Sequence, residues 1–171
     1  LLASMVADAD RPAAALDAIP PATRARLDGE WQGPSLAAAP PATVHAWILR
    51  TAAASPTAIA VRDAAGTLTY AALVAQARAL GEELQRAGVA PGDRVALSVS
   101  RSRSLPVALL AALAAGATYV PIDPEYPRDR VRFMLEDAAP RVWLVEGALP
   151  EFAPPGTAVL DLAALPIRSE E

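Results

Sequence analysis

The chain has 171 residues, 53% hydrophobic and 20% charged, a globular composition long enough to bury a sizeable core. Its net charge of −4 offers no basic face for a nucleic acid. With no cysteine and only one histidine, His45, it excludes disulfides, thiolate chemistry, a histidine-built zinc site and a serine triad.

The opening LLASMVADADRP has no basic n-region and meets aspartates early, so it does not read as a signal peptide, and a cytoplasmic protein is expected. PATRARLDGEWQ predicts a helix with Leu27 and Trp31 four apart on one face. QGPSLAAAPPAT is rich in proline and alanine without periodicity and reads as a linker. TVHAWILRTAAAS predicts a helix capped by Thr43, with Val44, Trp47 and Ile48 on its apolar side.

The chain then alternates between periods. TAIAVRD and GTLTY are short strands. A helix is predicted over 70–87, where Leu73, Ala77, Leu80 and Leu84 form one stripe and Gly88 ends it. VAPGDRVALSVS supplies a turn and a strand with Val95, Leu97 and Val99 on one face. From Ser104 to Ile122 no residue is charged, a length that could cross a bilayer. Alanine is only weakly apolar, however, and Pro106, Gly116, Thr118 and Pro121 punctuate the stretch. A helix over 104–115 stopped by Gly116, then a strand over 118–120, is the better reading. No membrane association is expected. Pro127 suits a helix N1 position, followed by a stripe of Val131, Met134, Leu135 and Ala138. RVWLVE and a weaker TAVLDL are further strands. Strand–helix alternation with short turns predicts an α/β fold, a parallel or mixed sheet covered by helices.

Candidate chemistry is sparse. All fifteen basic residues are arginine, so a P-loop lysine or Schiff-base lysine is excluded, and no GxGxxG or GxxxxGK segment occurs. His45 has no partner signature and reads as structural or solvated. The arginines of RSRS (Arg101, Arg103) and PRDRVR (Arg128, Arg130, Arg132) could grip phosphates. The plainer reading is a solvated face, with Asp129 and Glu136 as helical partners. Asp123 follows a strand, the place where open α/β sheets bind ligands, but Asp-Pro also opens turns, and a turn cap is the expectation.

Two segments carry a resemblance. LTYAAL (Leu68–Leu73) and, downstream, LAAGATYVPIDPEYP (Leu113–Pro127) resemble the first two core motifs of adenylation domains in nonribosomal peptide synthetases. Those domains belong to the ANL superfamily of AMP-forming ligases. Leu68, Thr69, Tyr70 and Leu73 match the first pattern, and Leu113, Ala115, Gly116, Tyr119, Val120, Pro121, Ile122 and Asp123 match the second. Departures fall at Ala72, where the family has the glutamate of a capping box, and at Ala114 and Thr118 in the helix–strand joint.

The resemblance implies an incomplete N-terminal subdomain of an adenylation core with a helical N-terminal linker. Residues 1–36 would be the end of a condensation-like domain and its interdomain linker, and 37–171 the N-terminal part of the adenylation domain, truncated before the ATP phosphate-binding loop. An intact enzyme of this kind activates an amino acid with ATP and Mg²⁺ and loads it onto the phosphopantetheine thiol of a carrier domain. The implied partners are the upstream condensation domain, the remainder of the adenylation domain, a peptidyl carrier domain and an MbtH-like protein. The matched residues Leu68, Thr69, Tyr70, Leu73, Gly116, Tyr119, Pro121 and Asp123 are expected to be structural, with no catalytic, cofactor-binding or metal-binding residue in this chain, which alone is expected to be inactive. The alternatives are part of an acyl- or aryl-acid AMP-forming ligase, and a stand-alone docking or scaffold module derived from an adenylation domain.

Overall fold

A computed structural model describes residues 2–10, 12, 18–33, 43–147 and 150–165. The chain divides into two compact units, Leu1–Pro41 and Ala42–Glu171. The first contains helices α1 (Leu2–Ala7) and α2 (Pro21–Asp28). Pro21 opens α2, where a missing N–H costs nothing, and Gly29 closes it. The helix therefore stops before Trp31, which does not share a helical face with Leu27. Its exposed ring is instead covered by the Arg26 guanidinium, 5.0 Å from the ring centre. Most of the QGPSLAAAPPAT linker lies outside the described residues.

The second unit runs α3 (Val44–Ala54), β1 (Ile59–Asp63), β2 (Gly66–Thr69), α4 (Tyr70–Arg86), β3 (Arg94–Ser98), α5 (Ser104–Ala114), β4 (Thr118–Pro121), α6 (Arg128–Ala138), β5 (Val142–Val145) and β6 (Ala158–Asp161). Strands β1 and β2 form an antiparallel hairpin, and the other four form a parallel sheet in the order β4-β3-β5-β6. Travel from β3 to β4 goes one way across the sheet, and travel from β4 back past β3 to β5 goes the other. Right-handed crossovers then require α5 and α6 to lie on opposite faces. The packing agrees. Val95, Leu97, Val142 and Leu144 meet α4 and α5 through Leu73, Leu80, Leu84, Val107 and Ala111. Ala96, Trp143 and Val145 meet Leu135, with Val131 and Met134 of α6 packed alongside. Both faces are covered, which is why VWLV is apolar at every position instead of alternating. Burying a side chain such as Leu80 or Leu84 contributes about 2 kcal/mol each.

Helix ends obey the residues placed there. Gly116 has φ +74° and completes a paired C-cap, its N–H donating to Leu113 O and that of Ala117 to Ala112 O. The uncharged stretch is thus one buried helix and one strand. Among the described residues no helix is long and apolar enough to cross a membrane. Pro127 sits at the N-cap of α6, one position earlier than its fixed φ suggested. Thr43 does cap α3, accepting from the Ala46 N–H at 3.3 Å. Of the apolar side expected for α3, only Ile48 packs against the core, joined by the buried Ala52, whereas Val44 is 70% and Trp47 48% exposed.

Candidate functional site

Neighbouring strands β3 and β5 send the chain to opposite faces, β3 into α5 and β5 into a loop whose Ala153 packs beside α6. A crevice opens beyond the carboxyl ends of parallel strands at such a reversal. Two concavities lie along this rim. One, of about 400 Å³, is lined by Thr67, Leu68, Thr69, Arg103, Glu146 and Leu162 among others. The other, of about 560 Å³, lies on the α6 side, with Ser98, Tyr126, Arg132, Trp143, Glu146 and Phe152 in its wall.

Glu146 borders both concavities. Its Oε2 accepts the backbone N–H of Ser100 at 3.0 Å and also the Ser100 hydroxyl. Asp161, at the end of β6, accepts the N–H groups of Gly147 and Ala163 through one oxygen, at 3.0 and 2.9 Å. These carboxylates brace loops and are already satisfied. Glu146 escaped the sequence reading, although it follows its strand much as Asp123 follows β4.

The sequence-derived residues fall in two places. Leu68 and Leu73 are buried in the core, and the Thr69 Oγ1 accepts from the Ala72 N–H at 3.2 Å, capping α4. Tyr70 starts that helix and donates its N–H to Ala58 O at 3.0 Å. Leu68 and Thr69 also line the smaller concavity. Gly116 precedes β4, Tyr119 is exposed within it, Pro121 ends it, and Asp123 lies beyond its far end. The Asp123 side chain accepts the Glu125 N–H at 2.9 Å, an Asx turn that holds DPEYP in place. The motif residues do not converge on one reactive point.

Four of the five candidate arginines, all but Arg101, are occupied, but not as helical spacing suggested. Arg103 pairs with Asp63 at 3.1 Å and Arg128 with Glu151 at 2.8 Å. Arg130 and Arg132 stack on Tyr126 and Phe152, with the guanidinium carbon 4.1 and 4.2 Å from the ring centres. Neither Asp129 nor Glu136 is the partner found in these contacts. His45 Nε2 lies 3.2 Å from the Thr43 hydroxyl at the start of α3. The Arg103 backbone N–H, above all, holds the Asp63 carboxyl below the ordinary range.

The chain has no lysine, and the described residues hold no group of three side chains placed to ligate a cation.

A family model described as AMP-binding enzyme matches residues 48–169, most of the chain and nearly all of its second unit. The chain belongs to the AMP-binding enzymes. Within that family it is similar to chondramide synthase of Chondromyces crocatus, 38% identical over 96% of this chain and 4% of that protein. It is also similar to a dimodular nonribosomal peptide synthase of Bacillus subtilis, 37% identical over 91% of this chain and 6% of the relative. Its structure matches that of a holo four-domain nonribosomal peptide synthetase bound to AMP and glycine. The TM-score is 0.72 at 30% identity, covering 95% of this chain and 12% of that one. The chain therefore corresponds to a small part of each relative. It is the N-terminal portion of an adenylation domain homologous to those of peptide synthetases.

Proposed function

We propose that the domain to which this chain contributes activates an amino acid for peptide assembly. In that reaction the amino-acid carboxylate attacks the α-phosphorus of ATP, the bond to pyrophosphate breaks, and an aminoacyl adenylate forms. A carrier-domain phosphopantetheine thiol then takes the acyl group and AMP leaves. Mg²⁺ and cationic donors supply charge stabilisation on the phosphates, from residues other than those of this chain. The likeness over 95% of the chain to a synthetase holding AMP and glycine is the observation that carries this reading.

The chain's own contribution is scaffold. Residues 1–36 connect to a condensation domain, and 37–171 build the first sheet and helices of the adenylation core. Leu68, Thr69, Tyr70, Leu73, Gly116, Tyr119, Pro121 and Asp123 serve as joints: two helix ends, one strand and one turn. The remaining adenylation core and a peptidyl carrier domain are the further partners, and an MbtH-like protein is to be tested as another.

The test is ATP–pyrophosphate exchange by the domain that contains this chain together with the rest of its adenylation core. Exchange driven by one or a few amino acids, and none by residues 1–171 alone, is expected. Exchange driven only by aryl or fatty acids would favour the acyl-ligase alternative. Activity in the isolated chain would contradict the scaffold reading.

A further inference from the structure

Asp63 closes β1, and Arg103 is the N-cap of α5, 40 positions later. One carboxylate oxygen of Asp63 accepts the Arg103 backbone N–H at 2.9 Å and its Nε at 3.2 Å, while the other accepts the Ala65 N–H at 2.9 Å. The same guanidinium reaches over the turn and donates through Nη1 to Thr67 O at 3.4 Å. We propose that this pair is a latch: it holds the tip of the β1–β2 hairpin against the rim of the sheet and sets the width of the 400 Å³ concavity between them.

The hairpin forms no ladder with the parallel sheet. Its base is secured by Tyr70 and Ala71, whose N–H groups donate to Ala58 O and Pro56 O, and by Leu68 in the core. Towards the tip Ala64 and Ala65 are exposed, and a Cβ on Gly66 would touch Arg103 Nη1 at 3.4 Å, so the guanidinium lies across the turn. A two-stranded ribbon alone is marginal in water, so the order of this tip rests on the ties that Arg103 supplies.

The latch also acts on α5. Arg103 makes no side-chain cap of its own at that helix start. Asp63 accepts its N–H and places a negative charge beside the positive end of the helix dipole, a cap delivered from another element. Thr67, Leu68 and Thr69 form one wall of the concavity, and Arg103 and Ser104 form the adjoining one. A change at the pair therefore moves both walls.

Hydrogen–deuterium exchange of the full chain tests this, comparing D63N, R103Q and the double variant with the parent. Peptides over 59–69 report the hairpin, and those over 94–98 and 142–145 report the sheet. Each single variant is expected to speed hairpin exchange about tenfold while leaving the sheet amides unchanged, and the double variant to add little. R103K is the milder probe should D63N or R103Q not fold: keeping the charge but losing the fork, it is expected to show a smaller loss confined to the same peptides. Hairpin protection that is unchanged in a folded variant, or lost equally in hairpin and sheet, would overturn the latch. So would single effects that simply add in the double variant.

Discussion

Trp143 donates its indole N–H to Ser98 Oγ at 2.9 Å, tying β5 to β3. The ring is buried beside Ala96, Ile122 and Leu135, and its N–H finds its partner in Ser98 at the wall of the larger concavity. Ser98→Ala removes the acceptor, at an expected cost of about 1 kcal/mol. Urea unfolding of Ser98→Ala, Trp143→Phe and the double variant should show a coupling of roughly 1 kcal/mol. Strict additivity would mean the bond contributes nothing.

Ala139 follows α6 with φ 42° and ψ 57°, the left-handed conformation, ahead of the buried Pro140. Among the described residues it is the one non-glycine residue with positive φ. The Cβ makes that conformation costly, so Ala139→Gly is expected to stabilise the fold by up to about 1 kcal/mol, read as a raised thermal midpoint. A lowered midpoint would show that losing the alanine's restraint on the unfolded chain outweighs the relieved strain.

Gly116 and Gly88 both cap helices with positive φ, but their surroundings differ. A Cβ on Gly116 would lie 3.1 Å from Pro91 Cβ and 3.3 Å from its Cα, whereas one on Gly88 would meet only the Arg141 side chain. A proline ring and backbone cannot swing aside as a guanidinium can. Gly116→Ala should therefore cost about 2 kcal/mol or more, and Gly88→Ala about 1, in chemical denaturation.

Acid should act on the hairpin first. Because the Arg103 N–H lowers the Asp63 pKa in the folded state, the stabilisation is fully present above the unfolded carboxylate pKa. It is lost as the pH falls through the lower folded value. Stability of the parent chain should drop more steeply than that of Asp63→Asn below about pH 4, in unfolding curves collected from pH 7 to pH 3.

What the sequence reveals here is local. The stripe Leu73, Ala77, Leu80, Leu84 and the helix ends Thr43, Gly88 and Gly116 are legible because period and cap chemistry act within a few residues. Trp31 misleads because Gly29 ends its helix two residues earlier, and Val44 and Trp47 because a hydrophobic side need not find a partner within the chain. The order β4-β3-β5-β6 and the Asp63–Arg103 pair depend on contacts between distant segments, which no local spacing encodes. The partners of Arg128 and Arg132, Glu151 and Phe152, are hidden for the same reason. Asp123 was legible as a turn residue, since the Asx turn closes within DPE.

The scaffold claim is tested most directly by a hybrid in which residues 43–165 replace the matching segment of the Bacillus subtilis synthase similar to this chain. The readout is ATP–pyrophosphate exchange across the amino acids. Exchange driven by the host's own amino acid, at an equal or reduced rate, is the predicted result. A switch to a different amino acid, or no exchange from a hybrid that unfolds cooperatively as a monomer, would contradict the account.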